Sequence, residues 1–384
     1  MGVGAPGHDT SGDNNYGAAY IVYGPHSAST SLSAAGAILL GVDNFQLGDA
    51  VSAAGDFDGD GLADFLVGHG DSSYYQFQYA YVVTGAPTGT MGIDTTSVLL
   101  KGEAEGDGAG FAVGGGTDVD GDGLDDVIIG APYYDEGTTD VGAAYLVFGG
   151  ATGTVDLSTA DARITGAEYE GHLGAAVAVV GDLDGDGLPD LATAETGFGA
   201  YYVFAGTSTG DLDATDAFAT VSGGPTTSSM PALADAGDVD GDGTDDLVLG
   251  EAHGEHAYLF SGPLSGTMTA SIDATATFTG ATQLGWSVSS VGDPDSNSCD
   301  DLLVGALSAD GRDGAAYLFL GPLTGNVDAA DAEVHIGGAS SYTGASVSGG
   351  DLDADGVPDL LVGAYDTSEA GAAYIFSGAP LLGL

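Results

Sequence analysis

The chain repeats itself about every 59 residues, and this periodicity constrains its fold more than any local feature does. Two series run in phase. The first is a short segment of the form Gly-Ala-Ala-Tyr-Leu-Phe-x-Gly, whose tyrosine recurs at Tyr20, Tyr81, Tyr145, Tyr202, Tyr258, Tyr317 and Tyr374. The second is an aspartate-rich loop that begins at Asp56, Asp118, Asp182, Asp238, Asp293 and Asp351.

Within each unit the order is constant. A segment such as Leu47-Gly48-Asp49-Ala50-Val51 or Leu173-Gly174-Ala175-Ala176-Val177 comes first, then the aspartate loop, then an apolar run such as Val127-Ile128-Ile129 or Leu360-Leu361-Val362. The tyrosine segment follows. After a Thr-Gly turn (Thr88-Gly89, Thr152-Gly153, Thr209-Gly210, Thr324-Gly325) a weaker fourth segment closes the unit. These segments read as strands a, b, c and d. No stretch sustains a 3.6-residue apolar period between capping signals, so almost no helix is expected. Tight turns are well supplied, by 69 glycines and 12 prolines.

Four short strands per unit predict an all-β fold, a seven-bladed β-propeller of four-stranded antiparallel blades. Strands b and c are apolar at consecutive positions, as when a blade is buried between two neighbours, whereas a two-layer sandwich would alternate. Sandwich and β-helix are the competing architectures. The chain enters at Val3-Gly4-Ala5-Pro6, already in strand b, and stops after strand c at Gly378. The first blade is therefore expected to lack strand a and its loop, and the last to lack strand d. The predicted blades of this single domain are 1–43 (partial), 44–105, 106–169, 170–226, 227–281, 282–340 and 341–384 (partial). Such ends suggest a segment of a larger protein.

Acidic residues number 57 against 3 basic ones, a net charge of −54. That surface repels phosphate backbones and anionic lipids, which excludes nucleic-acid binding as a primary role. No apolar run reaches the length of a membrane span. The single cysteine, Cys299, cannot close an internal disulfide, so any staple must come from elsewhere. Cations are the obvious candidate.

Five loops match Asp-x-Asp-x-Asp-Gly-x-x-Asp. Hard oxygen ligands at alternate positions, with a glycine for the sharp turn, suit a Ca²⁺ ion of six to eight oxygens. The carboxylates would come from Asp56, Asp58, Asp60 and Asp64, with the carbonyl of Leu62. The next loops offer Asp118, Asp120, Asp122, Leu124 and Asp126; Asp182, Asp184, Asp186, Leu188 and Asp190; and Asp238, Asp240, Asp242, Thr244 and Asp246. The last offers Asp351, Asp353, Asp355, Val357 and Asp359. A sixth loop keeps the spacing with Asp293, Asp295, Asn297, Cys299 and Asp301, but Ser298 replaces the turn glycine, so binding there is expected to be weak or absent. Mg²⁺ and Zn²⁺ fit this ligand set less well. An EF-hand would need a glutamate at the twelfth position, where these loops have Val67, Ile129, Thr193, Leu249 and Val362. The bland alternative is a set of Asp-Gly turns. Against it, each loop crowds four carboxylates with no basic residue inside, since Lys101, Arg163 and Arg312 all lie elsewhere. Extracellular sites of this type bind at about 10⁻⁴ to 10⁻³ M, which points to a location outside the cell or on its surface.

The aspartate loops, with Gly4-Ala5-Pro6, Gly130-Ala131-Pro132 and the Leu-Gly pairs at 47, 173 and 284, make the unit resemble the FG-GAP repeat. That repeat is the propeller blade of integrin α subunits and of many bacterial surface proteins, and the resemblance covers essentially the whole chain. It implies a seven-bladed propeller with Ca²⁺ in the a–b hairpins, on the face opposite the ligand. Several strands b lack the full Gly-Ala-Pro, and no Arg-Gly-Asp or inserted domain is present.

Successive antiparallel connections alternate between faces, so the b–c and d–a loops share the face away from the hairpins. Aromatic and acidic residues collect in two b–c loops there: Tyr74, Tyr75 and Phe77, then Tyr133, Tyr134, Asp135 and Glu136. They are candidates for contact with a protein or glycan ligand, or else they seal the blade tops. His253 and His256 with Glu251 and Glu255 sit in a short turn, without the helical spacing of a zinc site. No catalytic constellation stands out, and the chain is expected not to be an enzyme. The expected role is that of an extracellular, calcium-binding adhesion or attachment module. A structural spacer is the alternative, and a propeller-borne hydrolase or lyase a second one.

Overall fold

Strands b and c form the apolar centre of every blade, and the repeated tyrosine sets their register. It lies opposite the same strand-b position in Val3↔Tyr20, Val67↔Tyr81, Ile129↔Tyr145, Leu249↔Tyr258, Val304↔Tyr317 and Val362↔Tyr374. Strand b of the third blade, Asp126–Ala131, is buried at every position, as a strand covered on both faces must be. The computed structural model describes all residues except 9–15, 25–30, 43–45, 70–76, 96, 138, 224–230, 339–341, 366–370 and 379–384.

The fold is all-β, a seven-bladed propeller of seven sheets. The chain divides into two compact units, Met1–Val179 with Leu188–Gly197 and Tyr202–Ala217, and Val180–Gly187 with Phe198–Tyr201 and Phe218–Leu384. In the first unit, blade one has strands Gly2–Ala5, Ala18–Ile21 and Ala37–Leu40. Blade two has Leu47–Gly55, Asp64–His69, Phe77–Val83 and Ser97–Glu105. Blade three has Ala112–Thr117, Asp126–Ala131, Ala143–Val147 and Ala162–Thr165. The fourth blade, through which the division runs, uses Leu173–Val180, Asp190–Glu195, Ala200–Ala205 and Ala219–Ser222. In the second unit, blade five has Ala232–Gly237, Asp246–Glu251, His256–Phe260 and Ala276–Thr279. Blade six has Leu284–Ser290, Leu302–Ala306, Ala315–Phe319 and Val334–Gly337, and blade seven Thr343–Gly350, Asp359–Ala364 and Ala372–Phe376. Blade one thus lacks a strand a, and blade seven a strand d, among the described residues.

One expectation is corrected. The segment after the Thr-Gly turn is not strand d of its own blade. It is a short strand that pairs in parallel with strand d of the preceding blade, as in Ala37↔Gly89, Leu99↔Thr154, Ala162↔Gly210, Ala219↔Gly266 and Ala276↔Gly325. A single helical turn of three or four residues follows, and only then the blade's own strand d. Blades two to five therefore carry five strands each. The physical reason is the edge: strand d would otherwise present a row of unpaired N–H and C=O groups. The turn glycine lets the chain leave strand c sideways, with φ 74 at Gly153 and 82 at Gly210.

Side chains of strands b, c and d fill the space between sheets. Phe57, Ile129 and Tyr145 anchor one cluster in the first unit, and Phe278, Leu302 and Phe319 another in the second. Each such side chain contributes about 1.5–3 kcal/mol of burial.

Candidate metal centre

Each aspartate loop closes its a–b hairpin through its own carboxylates. In the 118–126 loop, Asp118 accepts the backbone N–H groups of Gly121 (2.7 Å), Asp122 (3.2 Å) and Gly123 (2.8 Å). Asp120 accepts from Asp122 at 3.0 Å, and Asp122 from Leu124 at 2.8 Å. The pattern recurs at Asp182 and Asp238 on three N–H groups each, and in shorter form at Asp56, Asp293 and Asp351. Gly121 and Gly123 carry φ of 80 and 93, a region that favours glycine.

The ninth residue is the first of strand b and has a different task. Asp126 is buried; one oxygen accepts from Val119 N–H and the other from Gly149 N–H, both at 2.8 Å, tying the hairpin to the end of strand c. Asp64, Asp246, Asp301 and Asp359 repeat the bond to Gly85, Gly262, Gly321 and Gly378. Burial pushes the Asp126 carboxyl up to about 6 and those of Asp246 and Asp301 up to about 7, and neighbouring loop carboxylates add to the effect. Asp190 is buried as well.

The loops bring ligand atoms together. Carboxylates of Asp56, Asp58 and Asp64, of Asp118, Asp120 and Asp122, of Asp238, Asp240 and Asp242, and of Asp293, Asp295 and Asp301 lie within 4.8 Å of one another in each set. Two buried carboxylate oxygens, Asp56 Oδ1 and Asp301 Oδ2, have no hydrogen-bond partner. Crowded carboxylates with oxygens left over and no cationic side chain among them fit a hard divalent cation. Leu62, Leu124, Thr244 and Val357, expected to offer carbonyls, each donate their N–H to the fifth-position aspartate. In the variant loop Ser298 keeps the glycine's turn with φ 73. Its Asn297 amide donates to Asp295 at 3.1 Å and to the Gly321 carbonyl at 2.9 Å, while Cys299 N–H bonds to the Asn297 side-chain oxygen. An amide donor thus stands where the other loops have a fourth carboxylate.

Sequence reasoning missed the eighth position. Asp125, Asp245 and Asp300 each reach back one blade and accept the N–H of the first loop aspartate, Asp56 at 2.7 Å, Asp182 at 3.0 Å and Asp238 at 2.9 Å. Gly55, Gly181 and Gly237 stand directly against them. The signal lay in the doubled aspartates Asp125-Asp126, Asp245-Asp246 and Asp300-Asp301, against Pro189 and Pro358 in two other loops.

At the other end of the blades, Tyr74 and Tyr75 lie outside the described residues, and Phe77 opens strand c. Tyr134 is buried, edge-on to Tyr145, and its hydroxyl accepts from Arg163 at 3.1 Å. Tyr133 is half-buried and meets Phe111 and His172 edge to face, while Asp135 and Glu136 are exposed. Arg163 also bonds Glu103 and Asp211, both at 3.0 Å, joining blade two to the sheet of blade three, which includes the strand that carries Asp211. His256 stacks on Tyr258, whose hydroxyl donates to Glu251 at 3.2 Å.

A profile of the FG-GAP-like repeat matches residues 182–249, and one of the FG-GAP repeat matches 109–147 and 343–376. Integrin alpha-IIb of Homo sapiens is 34% identical over 214 residues, covering 50% of this chain and 20% of the relative. Integrin alpha-V of Gallus gallus is 32% identical over 234 residues, 57% of this chain and 21% of that one. Phosphatidylinositol-glycan-specific phospholipase D of Bos taurus is 35% identical over 148 residues, 35% and 17% of the two chains. The chain thus spans about a fifth of the length of these curated relatives. Among solved structures, a chain from the structure of BBS1N in complex with ARL6DN, soaked with lead, superposes with a TM-score of 0.50 at 11% identity, over 94% of this chain and 84% of that one, a likeness of fold. The chain carries FG-GAP repeats, and they build a β-propeller similar to that of integrin α subunits.

Proposed function

We propose that this propeller is an extracellular binding module stabilised by Ca²⁺ in its a–b hairpins, serving adhesion or attachment within a larger cell-surface protein. The observation that carries the reading is the crowding of carboxylates with unpartnered buried oxygens in loops that contain no positive side chain. Without a cation such a cluster repels itself in a partly desolvated site. The loops 56–64, 118–126, 182–190, 238–246 and 351–359 are the strong sites. The 293–301 loop is the weak one, because Asn297 turns an amide donor toward Asp295.

A Ca²⁺ ion supplies charge neutralisation and several oxygen-ligand bonds. The chain's own residues do the rest. The ninth-position aspartates hold the hairpin to strand c, and the first-position aspartates shape the loop. Similarity to integrin α propellers supports a protein partner, and the b–c and d–a loop face, with Asp135 and Glu136 exposed on it, is the surface proposed to meet a protein or glycan. Catalysis is no part of this reading.

Two measurements test it. Chelation by EGTA should lower the melting temperature sharply and reversibly, and an unchanged melting temperature would refute the calcium role. An array of glycans and matrix proteins should give at least one saturable ligand that is lost on replacing Tyr74, Tyr75, Asp135 and Glu136 together. A chain that binds none of them is a spacer instead.

A further inference from the structure

Strand b ends in alanine in four blades, at Ala5, Ala131, Ala306 and Ala364, but the strand of the fourth blade ends in Glu195. This glutamate is 3% exposed. Its Oε2 accepts the Tyr202 hydroxyl at 2.6 Å, while its Oε1 is buried with no hydrogen-bond partner. Oε1 faces the loop 166–172. A Cβ placed on Gly171 would come within 2.4 Å of it, and one on Gly166 within 3.3 Å.

Four of that loop's backbone donors are already taken. Gly166, Glu170, Gly171 and His172 give their N–H groups to the carbonyls of Gly142, Thr139, Glu168 and Asp140. The Glu168 carbonyl lies beside the same Gly171 position, and the Glu168 carboxylate adds negative charge to the surroundings of Glu195. Burial raises the Glu195 carboxyl above the usual range, the Tyr202 bond lowers it, and Glu168 raises it again. A buried carboxylate in such surroundings requires a cation or a proton. No Lys or Arg among the described residues pairs with Glu195, and Lys101 and Arg163 are held by Asp156, Glu103 and Asp211.

We propose that the buried junction between the end of this strand and the loop 166–172 binds a calcium-sized divalent cation through Glu195 Oε1, with Glu168 and loop carbonyls as further ligands. It lies at the opposite end of strand b from the aspartate hairpins, so its occupancy is independent of theirs. An all-oxygen ligand set without His or Cys selects a hard ion.

Terbium titration of the whole chain tests the site, because the Tyr202 ring touches the proposed ligand and would sensitise bound lanthanide. Glu195→Gln should lower the calcium stoichiometry by one equivalent and reduce tyrosine-excited terbium emission. Tyr202→Phe should reduce that emission and leave the stoichiometry unchanged. Asp120→Asn, in a hairpin loop, should lower the stoichiometry yet keep the Tyr202-dependent emission, which separates failure of this site from failure of the hairpin sites. If Glu195→Gln binds as many calcium ions as the parent, the carboxyl holds a proton and the proposal is overturned. Loss of the infrared band of a neutral carboxyl in that variant would show the same. If Glu195→Gln does not fold, Tyr202→Phe decides: unchanged emission overturns the site, and reduced emission supports it.

Discussion

The Asp125 carboxylate accepts the backbone N–H of Asp56 at 2.7 Å, and a Cβ on Gly55 would sit 1.9 Å from the same oxygen. One blade's hairpin is thereby latched to the next through an acid that holds no position in the calcium pattern. Where the later loop has proline instead, the residue before the earlier loop is Thr117 for Pro189 and Gly292 for Pro358.

The latch predicts a coupled pair. Gly55→Ala forces a side chain at φ 61 into the Asp125 carboxylate and should cost about 2–3 kcal/mol. Asp125→Ala alone should cost about 1–2 kcal/mol, by leaving the Asp56 N–H without its acceptor. In the double variant, urea unfolding should show less destabilisation than the sum of the two, and strict additivity would mean that the contact is not made.

Metal occupancy should dominate stability. At free calcium a hundredfold above Kd, each site adds about 2.7 kcal/mol. Asp120→Asn should therefore remove one calcium equivalent by calorimetry and lower the melting temperature in calcium, with little effect in EGTA. Asp295→Asn, in the variant loop, should change the stoichiometry little.

The raised carboxyls give a pH signature. Asp126, Asp246 and Asp301 titrate at about 6 to 7 in the fold, against about 3.9 in an unfolded chain. Their contribution to the metal-free protein is present in full below about pH 4 and is lost as pH rises through 6 to 7. Calcium requires the charged form, so its stabilising increment should grow between about pH 5 and pH 8. Melting curves with calcium and with EGTA at both pH values check this, and an increment independent of pH would contradict it.

Arg163 should be the least replaceable of the basic residues. It bonds Glu103, Tyr134 and Asp211, and its own side chain and that of Glu103 are 21% and 16% exposed. Arg163→Met should cost about 3 kcal/mol by stranding the Glu103 carboxylate. Adding Glu103→Gln should restore part of that loss in urea melts.

Much of this protein is legible along its chain. The tyrosine and aspartate series revealed seven units and the order of strands a, b and c, though not the extra strand ahead of strand d, and the register Ile129↔Tyr145 recurs because each unit repeats the same apolar spacing. The loop ligands were readable because every position from Asp118 to Asp126 lies within one turn. Arg163 was not readable, since its partners Glu103 and Asp211 are 60 and 48 positions away. Glu195 looked like one of many acids until its burial set it apart.

Local order along the chain determined what each unit could be: strands from apolar runs, hairpins from Asp-Gly turns, and a charge that calls for cations. Which unit leans on which was decided only in three dimensions. The strand after each Thr-Gly turn covers the previous blade, and Asp125 latches the previous hairpin, because strand edges and buried N–H groups must find partners wherever folding brings them. Short-range spacing carries no record of a partner one blade away.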